Sequence, residues 1–464
     1  MAAMSGGRVL VYGLGVSGTA VARHLLAEGT EVVAVDDDGG ERTRRAAAEL
    51  GIAFVVGPDP RELRRLAEDV DEVVVSPGIP ARHPVFALGG GIRVVGEVEL
   101  AWRRARAPVA AVTGTNGKTT VTTLVHAMLE ESGRTAIAAG NIGAPLVDAL
   151  ASDAEVVVAE VSSFQLALTD TFRPAVGAWL NFSPDHIDWH GSLDAYREAK
   201  ARLWANAGSG DVAVANAEDP VVMAATDDPR RRGASVVTFG LRGGDYTVRA
   251  GALVGPSGEI ARIAELRRSL PHDVSNALCA SAVALSVGAD LDGCRRALAS
   301  FAGLPHRVAL VGEAKGVRYY DDSKATTPGA VLAALEGFDH AVLIAGGRNK
   351  GLDLTVLAQA APRLRGVVAI GEAASQVVHA LNDATTVTTA RSMEGAVRAA
   401  RAMARSGDAV ILSPACASFD WYGSYAERGD DFARWVRAVV ADDDGHDEGR
   451  RSDDPDHRDP RDQR

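Results

Sequence analysis

The chain has 464 residues, of which 47% are hydrophobic and 24% charged, a composition that gives a globular protein of about three domains. Its formal net charge of −12 excludes a general nucleic-acid or acidic-membrane surface, because a phosphate backbone demands a basic face. No apolar run reaches the roughly 18 residues needed to span a bilayer, and the opening MAAMSGGRVL enters a strand without a signal-peptide core, so a cytoplasmic, monomeric protein with small-molecule partners is expected.

The first ninety or so residues alternate strands with helices. RVLVYGLG is an apolar run ending in glycines, SGTAVARHLLAEG has helical spacing closed by Gly29, and EVVAVDDD and DEVVVSPG follow as buried parallel strands. These make a Rossmann-like unit over 1–97. A second set begins at APVAAVTGTNGKTT and continues through AEVVVAEVSSF and PAVGAWLNFSPDH. After the helical stretch SLDAYREAKARLWANA come shorter strands and the helix HDVSNALCASAVALSVG, giving a central P-loop ATPase-like domain over 98–306. A third α/β set, with strands at VRYYDDS, HAVLIAGG, GVVAIG and DAVILSP, makes a C-terminal Rossmann-like domain over 307–440. The charged tail 441–464 has almost no apolar residues and is expected to be disordered. The fold class is therefore α/β in three domains, with hinges for ligand-driven closure near residues 97 and 306.

Gly13, Gly15 and Gly18 form a GxGxxG between a strand and a helix, and Asp36 ends the next strand. That pattern fits a dinucleotide fingerprint, a tight turn that packs a helix closely, or a different nucleotide in the same crevice. The stretch Val109 to Thr120, VAAVTGTNGKTT, is more informative. A strict P-loop has a glycine where Val112 stands, yet Gly114–Thr119 follows a strand and opens a helix. Backbone N–H groups, the helix dipole and Lys118 together make an anion cradle there, with the Thr119 hydroxyl available to magnesium.

Of 49 basic residues only five are lysine: Lys118, Lys200, Lys315, Lys324 and Lys350. A chain that writes arginine wherever a solvated charge suffices keeps lysine where a compact ammonium or a titratable amine is needed. Lys315 alone falls outside a motif. Cys279, Cys294 and Cys416 have neither disulfide nor metal-ligand spacing and read as small apolar side chains.

GTNGKTT resembles the ATP loop of the Mur ligase superfamily, which includes the peptidoglycan amide ligases and the folylpolyglutamate synthases and whose loop lacks the early glycine. SPGI, GNIGAPL, EVSSFQL, DHIDWHGS, AYREAKARLW, GLPHR, DDSKATTPGA, GGRNKGLDL and LSPACASFDWYGSYAERG follow in the family's order, across about 10–440. The last block is similar to the glutamate-adding branch. The resemblance implies an ATP-dependent amide ligase that joins D-glutamate to UDP-N-acetylmuramoyl-L-alanine through an acyl phosphate, in peptidoglycan precursor synthesis. A folylpolyglutamate synthase is the alternative within the family. A dehydrogenase or a non-catalytic nucleotide-binding regulator would leave several of these motifs unused.

What the family implies for single residues is carried over position by position. Gly114, Thr115, Asn116, Gly117, Lys118, Thr119 and Thr120 would hold ATP, with Asn276 on adenine, Arg307 on phosphate and Asp322 on ribose. Two magnesium ions would be held by Thr119, Glu160, His186 and a Lys200 that has taken up CO2. Read from residues alone, Glu160 is a salt-bridged strand end and Lys200 a solvated helix position. Gly15, Val16, Ser17, Asp37, Ser76, Pro77, Gly78, Asn141 and His186 would meet the UDP substrate. Thr326, Lys350, Ser418 and Tyr425 would grip D-glutamate, with Lys324 as electrostatic support. Two departures stand out: Asp37 and Asp38 occupy places where the family often has a hydroxyl and an arginine near uracil, and Asp273 replaces an asparagine.

Overall fold

The computed structural model describes residues 7–89 and 91–451. They divide into two compact units, one running to Ser269 together with Asp273–Ala302, the other made of Leu270–His272 and the chain from Gly303 onward.

The first unit contains three of the sheets seen among the described residues. A parallel five-stranded sheet has the order Ala53–Val56, Glu31–Asp36, Arg8–Tyr12, Glu72–Val75, Arg93–Gly96. A parallel six-stranded sheet has the order Ser235–Phe239, Val212–Asn216, Val176–Trp179, Val109–Thr113, Val156–Glu160, Ala136–Gly140. Helices cover both faces of such sheets, which is why VAAVT and VVVAE read as unbroken buried runs. Thr247–Arg249, Ala252–Gly255 and Gly258–Arg262 form a small antiparallel sheet.

One hydrophobic cluster runs through both parallel sheets, from Val9, Val11 and Val74 to Val109, Val157 and Trp179. The junction between them is the helix Glu97–Trp102, which starts directly after Gly96. Glu97 is buried, and its Oε1 accepts the backbone N–H of Val147 at 2.7 Å, at the start of the helix Leu146–Leu150. Burial pushes its carboxyl up to about 7 against the lowering effect of those N–H groups. Glu99, fully buried, accepts from the backbone of Asp170, Thr171 and Phe172, from Thr171 Oγ1 and from Arg103. Desolvation pushes that carboxyl up, but the hydrogen bonds outweigh it and hold it below its ordinary value. Around residue 97 the chain is thus a packed, multiply bonded junction whose anchors are buried acids.

In the second unit Ala309–Ala314 pairs antiparallel with Val317–Asp321, and the sheet continues in parallel through Ala409–Leu412, Ala341–Gly346, Leu364–Ile370 and Val387–Thr389. The helix Tyr425–Arg451 buries Phe432, Val436 and Val439 against this sheet's Val317 and Leu412. The disorder expected from 441 does not begin there, because the helix runs on to Arg451. A helix nucleated by an apolar face propagates at little further cost into polar sequence. The remaining tail, 452–464, lies outside the described residues. Among the described residues no helix is long and apolar enough to cross a membrane.

Candidate active site

In the six-stranded sheet the chain leaves Val109–Thr113 for the far edge and later returns on the other side as Val176–Trp179. The loop after Thr113 therefore stands at a topological switch point, where α/β sheets leave a ligand crevice. Asn181 laces this loop: its carbonyl accepts Thr115 N at 3.1 Å, and its side chain exchanges bonds with Asn116 N and O at 2.8 and 3.2 Å. Gly117 has φ of 84°, and a Cβ there would lie 2.6 Å from Asn276 Oδ1, so the left-handed turn and the close approach of Asn276 both require glycine. The helix Lys118–Glu131 then begins with no side-chain cap, and the positive end of its dipole lies at the loop.

Lys118 Nζ donates to Gly114 O at 2.8 Å and Thr115 O at 3.0 Å. Lys200 Nζ donates to the same Gly114 O at 2.7 Å, and the residue is 1% exposed. It also lies 4.8 Å from the Tyr196 ring centroid, while Tyr196 OH and Thr115 Oγ1 are 3.1 Å apart. Two amines thus converge on one carbonyl. Burial first, and then the charge of Lys118, push the Lys200 amine well below its ordinary value, with Asp185 partly opposing. Lys200 is not a solvated helix position.

Glu160 ends its strand in register with Val112, the last residue but one before the loop strand ends. Asn141 Nδ2 donates to its Oε1 at 2.7 Å, which joins two of the predicted residues. Its Oε2 is buried without a hydrogen-bond partner. His186 sits in left-handed backbone with φ of 52°, its N–H held by Asp185 Oδ1 at 2.8 Å. Its ring packs 4.6 Å from Phe164, which also stacks on His190 and tilts against Trp189. His190 Nε2 lies 3.0 Å from Ser163 Oγ, and burial followed by repulsion from His186 and Lys200 pulls its imidazole down to about 4. Among the described residues no three His, Cys, Asp or Glu side chains group as a metal site; of the four predicted ligands only Glu160 and His186 are of those types.

At the first sheet's crevice, Gly15 and Val16 are exposed at the uncapped start of the helix Val16–Ala27, and Ser17 is half-buried. Pro77 and Gly78 form a turn, and Ser76 Oγ donates to Gly13 O at 2.7 Å. A Cβ on Gly18 would lie 1.9 Å from Gly13 O, so close packing explains the fingerprint glycine. Asp36 accepts Leu14 N at 2.7 Å and Asp38 N at 3.1 Å. The acid that a dinucleotide fingerprint would aim at a ribose is engaged by its own loop.

In the second unit, Asp322 is buried and receives Ser413 Oγ at 2.7 Å and Val308 N at 3.3 Å. A ribose contact would require it to leave those partners. Ser418 is buried, Thr326 and Arg307 are half-buried, and Lys350 is exposed. Lys324 Nζ stands 3.8 Å above the Tyr425 ring, and Ser323 Oγ donates to Tyr425 O at 2.7 Å. The fully buried Arg428 binds Ser323 and the carbonyl of Cys416, tying the strand-end motif to the last block. At the phosphate loop the sequence reading missed Asn181 and Tyr196; the first stands two residues past a buried strand and the second is one helical turn before Lys200. All three cysteines are buried, with thiols pushed up by desolvation.

Three family descriptions match the chain in succession: Mur ligase MurD-like, N-terminal domain over residues 7–96, Mur ligase middle domain over 112–284, and Mur ligase, glutamate ligase domain over 306–416. The chain belongs to the Mur ligase family. Among its curated relatives, the UDP-N-acetylmuramoylalanine--D-glutamate ligase of Frankia casuarinae is 45% identical, with 93% of this chain and 94% of that protein covered. The Thermobifida fusca protein of the same name is 41% identical, with 94% and 99% covered. Solved Mur ligases share the fold. The UDP-N-acetylmuramate-alanine ligase MurC of Thermotoga maritima aligns with TM-score 0.57 at 22% identity, over 93% of this chain and all of that one. A MurF of Acinetobacter baumannii aligns with TM-score 0.60 at 16% identity, over 93% of each.

Proposed function

We propose that the chain is an ATP-dependent ligase that joins D-glutamate to UDP-N-acetylmuramoyl-L-alanine in peptidoglycan precursor synthesis. The observation that carries this reading is the 41–45% identity, over nearly the whole chain, to ligases of that name. The chemistry then follows. A carboxylate oxygen of the acceptor attacks the γ-phosphorus of ATP, ADP leaves, and an acyl phosphate remains. The glutamate amine attacks the acyl carbon, a proton passes to solvent, and inorganic phosphate departs from the tetrahedral intermediate as the amide forms.

Each step gathers anions, so this chain's task is to hold and neutralise them. The uncapped helix at Lys118 and the ammonium of Lys118 take the phosphates, while Gly114, Thr115, Asn116, Gly117 and Thr120 shape the cradle. Asn276, which borders Gly117, is assigned to adenine, and Arg307 and Asp322 to the rest of the nucleotide. Asn141 and the loop residues Gly15–Ser17 and Ser76–Gly78 orient the UDP substrate; Thr326, Lys350, Ser418 and Tyr425 are assigned to D-glutamate.

Glu160 fits one magnesium ion, and the family resemblance implies a second. Glu160 keeps one buried carboxylate oxygen without a hydrogen-bond partner, the donor a hard cation takes, with the Thr119 hydroxyl beside it in the family's set. His186 and a carbamylated Lys200 would hold the second. Carbamylation requires a neutral amine: its nitrogen lone pair bonds to the carbon of CO2 and one proton leaves. The depressed basicity of Lys200 supplies that neutral amine. When bound, magnesium offsets the phosphate charge that builds during transfer.

Phosphate release measured with each substrate omitted in turn tests the reading. Release is expected only when ATP, UDP-N-acetylmuramoyl-L-alanine and D-glutamate are all present. Equal release with a folate acceptor, or without D-glutamate, would refute it.

A further inference from the structure

The short helix Ile187–His190, which starts at His186, also reaches the first sheet. The indole N–H of Trp189 donates to the carbonyl of Ile79 at 3.0 Å, 110 residues away in the chain. Ile79 closes the turn that carries Ser76, Pro77 and Gly78, since its own N–H donates to Ser76 O at 3.1 Å. Ser76 in turn is held by the first sheet: its N–H donates to Tyr12 O at 2.9 Å and its Oγ to Gly13 O at 2.7 Å. The turn is thus fixed to the first sheet at Ser76 and to the second sheet's layer at Ile79. Trp189 is tied just as closely to His186. Its backbone N–H donates to His186 O at 3.2 Å, and the Phe164 ring lies 4.6 Å from His186 and 5.0 Å from the indole.

Packing alone does not set the angle of that indole. Trp189 is half-buried and borders a cleft of about 280 Å³, with Ala81 and Phe86 on one wall and Leu168, His190 and Ala199 on the other. A ring beside open space keeps its orientation through its hydrogen bond. Arg23 with Asp148 and Arg93 with Asp170 also join the two layers, but as part-exposed ion pairs, which hold geometry weakly. Neither pair includes a residue assigned to a ligand, whereas the bond from Trp189 ends on the Ser76–Gly78 turn. We propose that Trp189 is a positioning residue for the UDP substrate: its indole N–H holds that turn at a set distance from His186, so that one elongated ligand meets both. The proposal rests on the UDP-substrate reading above. A ligand that needs both segments binds in proportion to the fraction of molecules in which they are correctly spaced. The phosphate loop is shaped separately, by Asn181, so the bond acts on affinity for the UDP substrate and not for ATP.

Steady-state kinetics of the full chain with Trp189→Phe, and with 3-benzothienylalanine in place of Trp189, test it. The second variant keeps the shape of the indole and replaces only its N–H by sulfur, which separates the hydrogen bond from the packing. Both variants are expected to raise KM for UDP-N-acetylmuramoyl-L-alanine about 3- to 10-fold, the range for one neutral hydrogen bond, and to leave KM for ATP within about twofold of wild type. An unchanged KM for the UDP substrate in the benzothienyl variant would overturn the proposal, whatever Trp189→Phe does. Equal rises in KM for the UDP substrate and for ATP would overturn it too, as the mark of general damage to the fold. Wild-type enzyme that forms no product from this UDP substrate would instead overturn the reading on which the proposal rests.

Discussion

Replacing Lys200 by methionine separates the two consequences of burying an amine beside the phosphate loop. Methionine keeps the length and apolar stem of lysine and is a volume-conserving change in a packed site. It removes one hydrogen bond, to Gly114 O, which contributes about 1 kcal/mol. It also removes an amine that burial and Lys118 hold well below its ordinary basicity. An amine that gives up its proton on folding costs stability at neutral pH, and an apolar side chain of similar size carries no such cost. The net expectation is a gain of roughly 0–3 kcal/mol, and at about 2–4 °C per kcal/mol the melting temperature rises by up to about 10 °C. Activity moves the other way. A group that stabilises developing charge supplies about a hundredfold to a thousandfold in rate, so turnover falls by at least that much. Thermal unfolding followed by circular dichroism and single-turnover phosphate release measure the two sides. With 13C-bicarbonate and magnesium, the wild type gives a carbamate carbon signal that Lys200→Met lacks. A variant that keeps turnover within about tenfold of wild type, or melts several degrees lower, refutes the functional burial of Lys200.

Glu97→Gln is expected to flatten the pH dependence of the first unit's stability. With its carboxyl raised from 4.5 to about 7, the folded chain binds the extra proton between those values, so wild-type stability falls as pH rises through that window, by on the order of 3 kcal/mol. Urea unfolding at several pH values reads this, and a variant whose slope matches wild type counters the assignment. Gly117→Ala forces a side chain into left-handed backbone against Asn276, at about 1–3 kcal/mol, so kcat/KM for ATP falls about 10- to 100-fold. An unchanged ATP profile would mean that the turn does not shape the nucleotide site.

The parallel sheets were legible because a strand covered on both faces has to be apolar along its buried run, as VVAV of Val32–Val35, VAAV of Val109–Val112 and AVLIAG are. The phosphate loop was legible for the same local reason: glycine, lysine and threonine at fixed spacing specify a turn and a helix start. Lys200 shows where local pattern ends. Its helix carries exposed Arg197 and Glu198, and only the crossing of that helix over Gly114, 86 residues away in sequence, buries the amine. Glu97 and Glu99 were unreadable for a related reason. A buried acid looks like a surface one until the N–H groups of Val147 and Asp170–Phe172 fold onto it. The helix past residue 440 misled because its anchor, Phe432 to Val439, lies outside the polar run.

The two glycine loops of the first unit share a design that composition alone would not separate. Each follows a central parallel strand, each opens an uncapped helix, and each has hydrogen bonds of its own that hold its shape. In the first, Asp36 occupies Leu14 N and Ser76 occupies Gly13 O, so the loop's shape is fixed. In the second, Asn181 fixes the shape, but the loop carbonyls are held by the amines of Lys118 and Lys200. On the proposed function, a polyphosphate arriving there would compete for the ammonium of Lys118 and draw it off Gly114 O, leaving Lys200 as that carbonyl's remaining amine. The first loop would then only bind, whereas the second would couple anion binding to the state of a buried lysine, as phosphoryl transfer needs and the holding of a diphosphate does not.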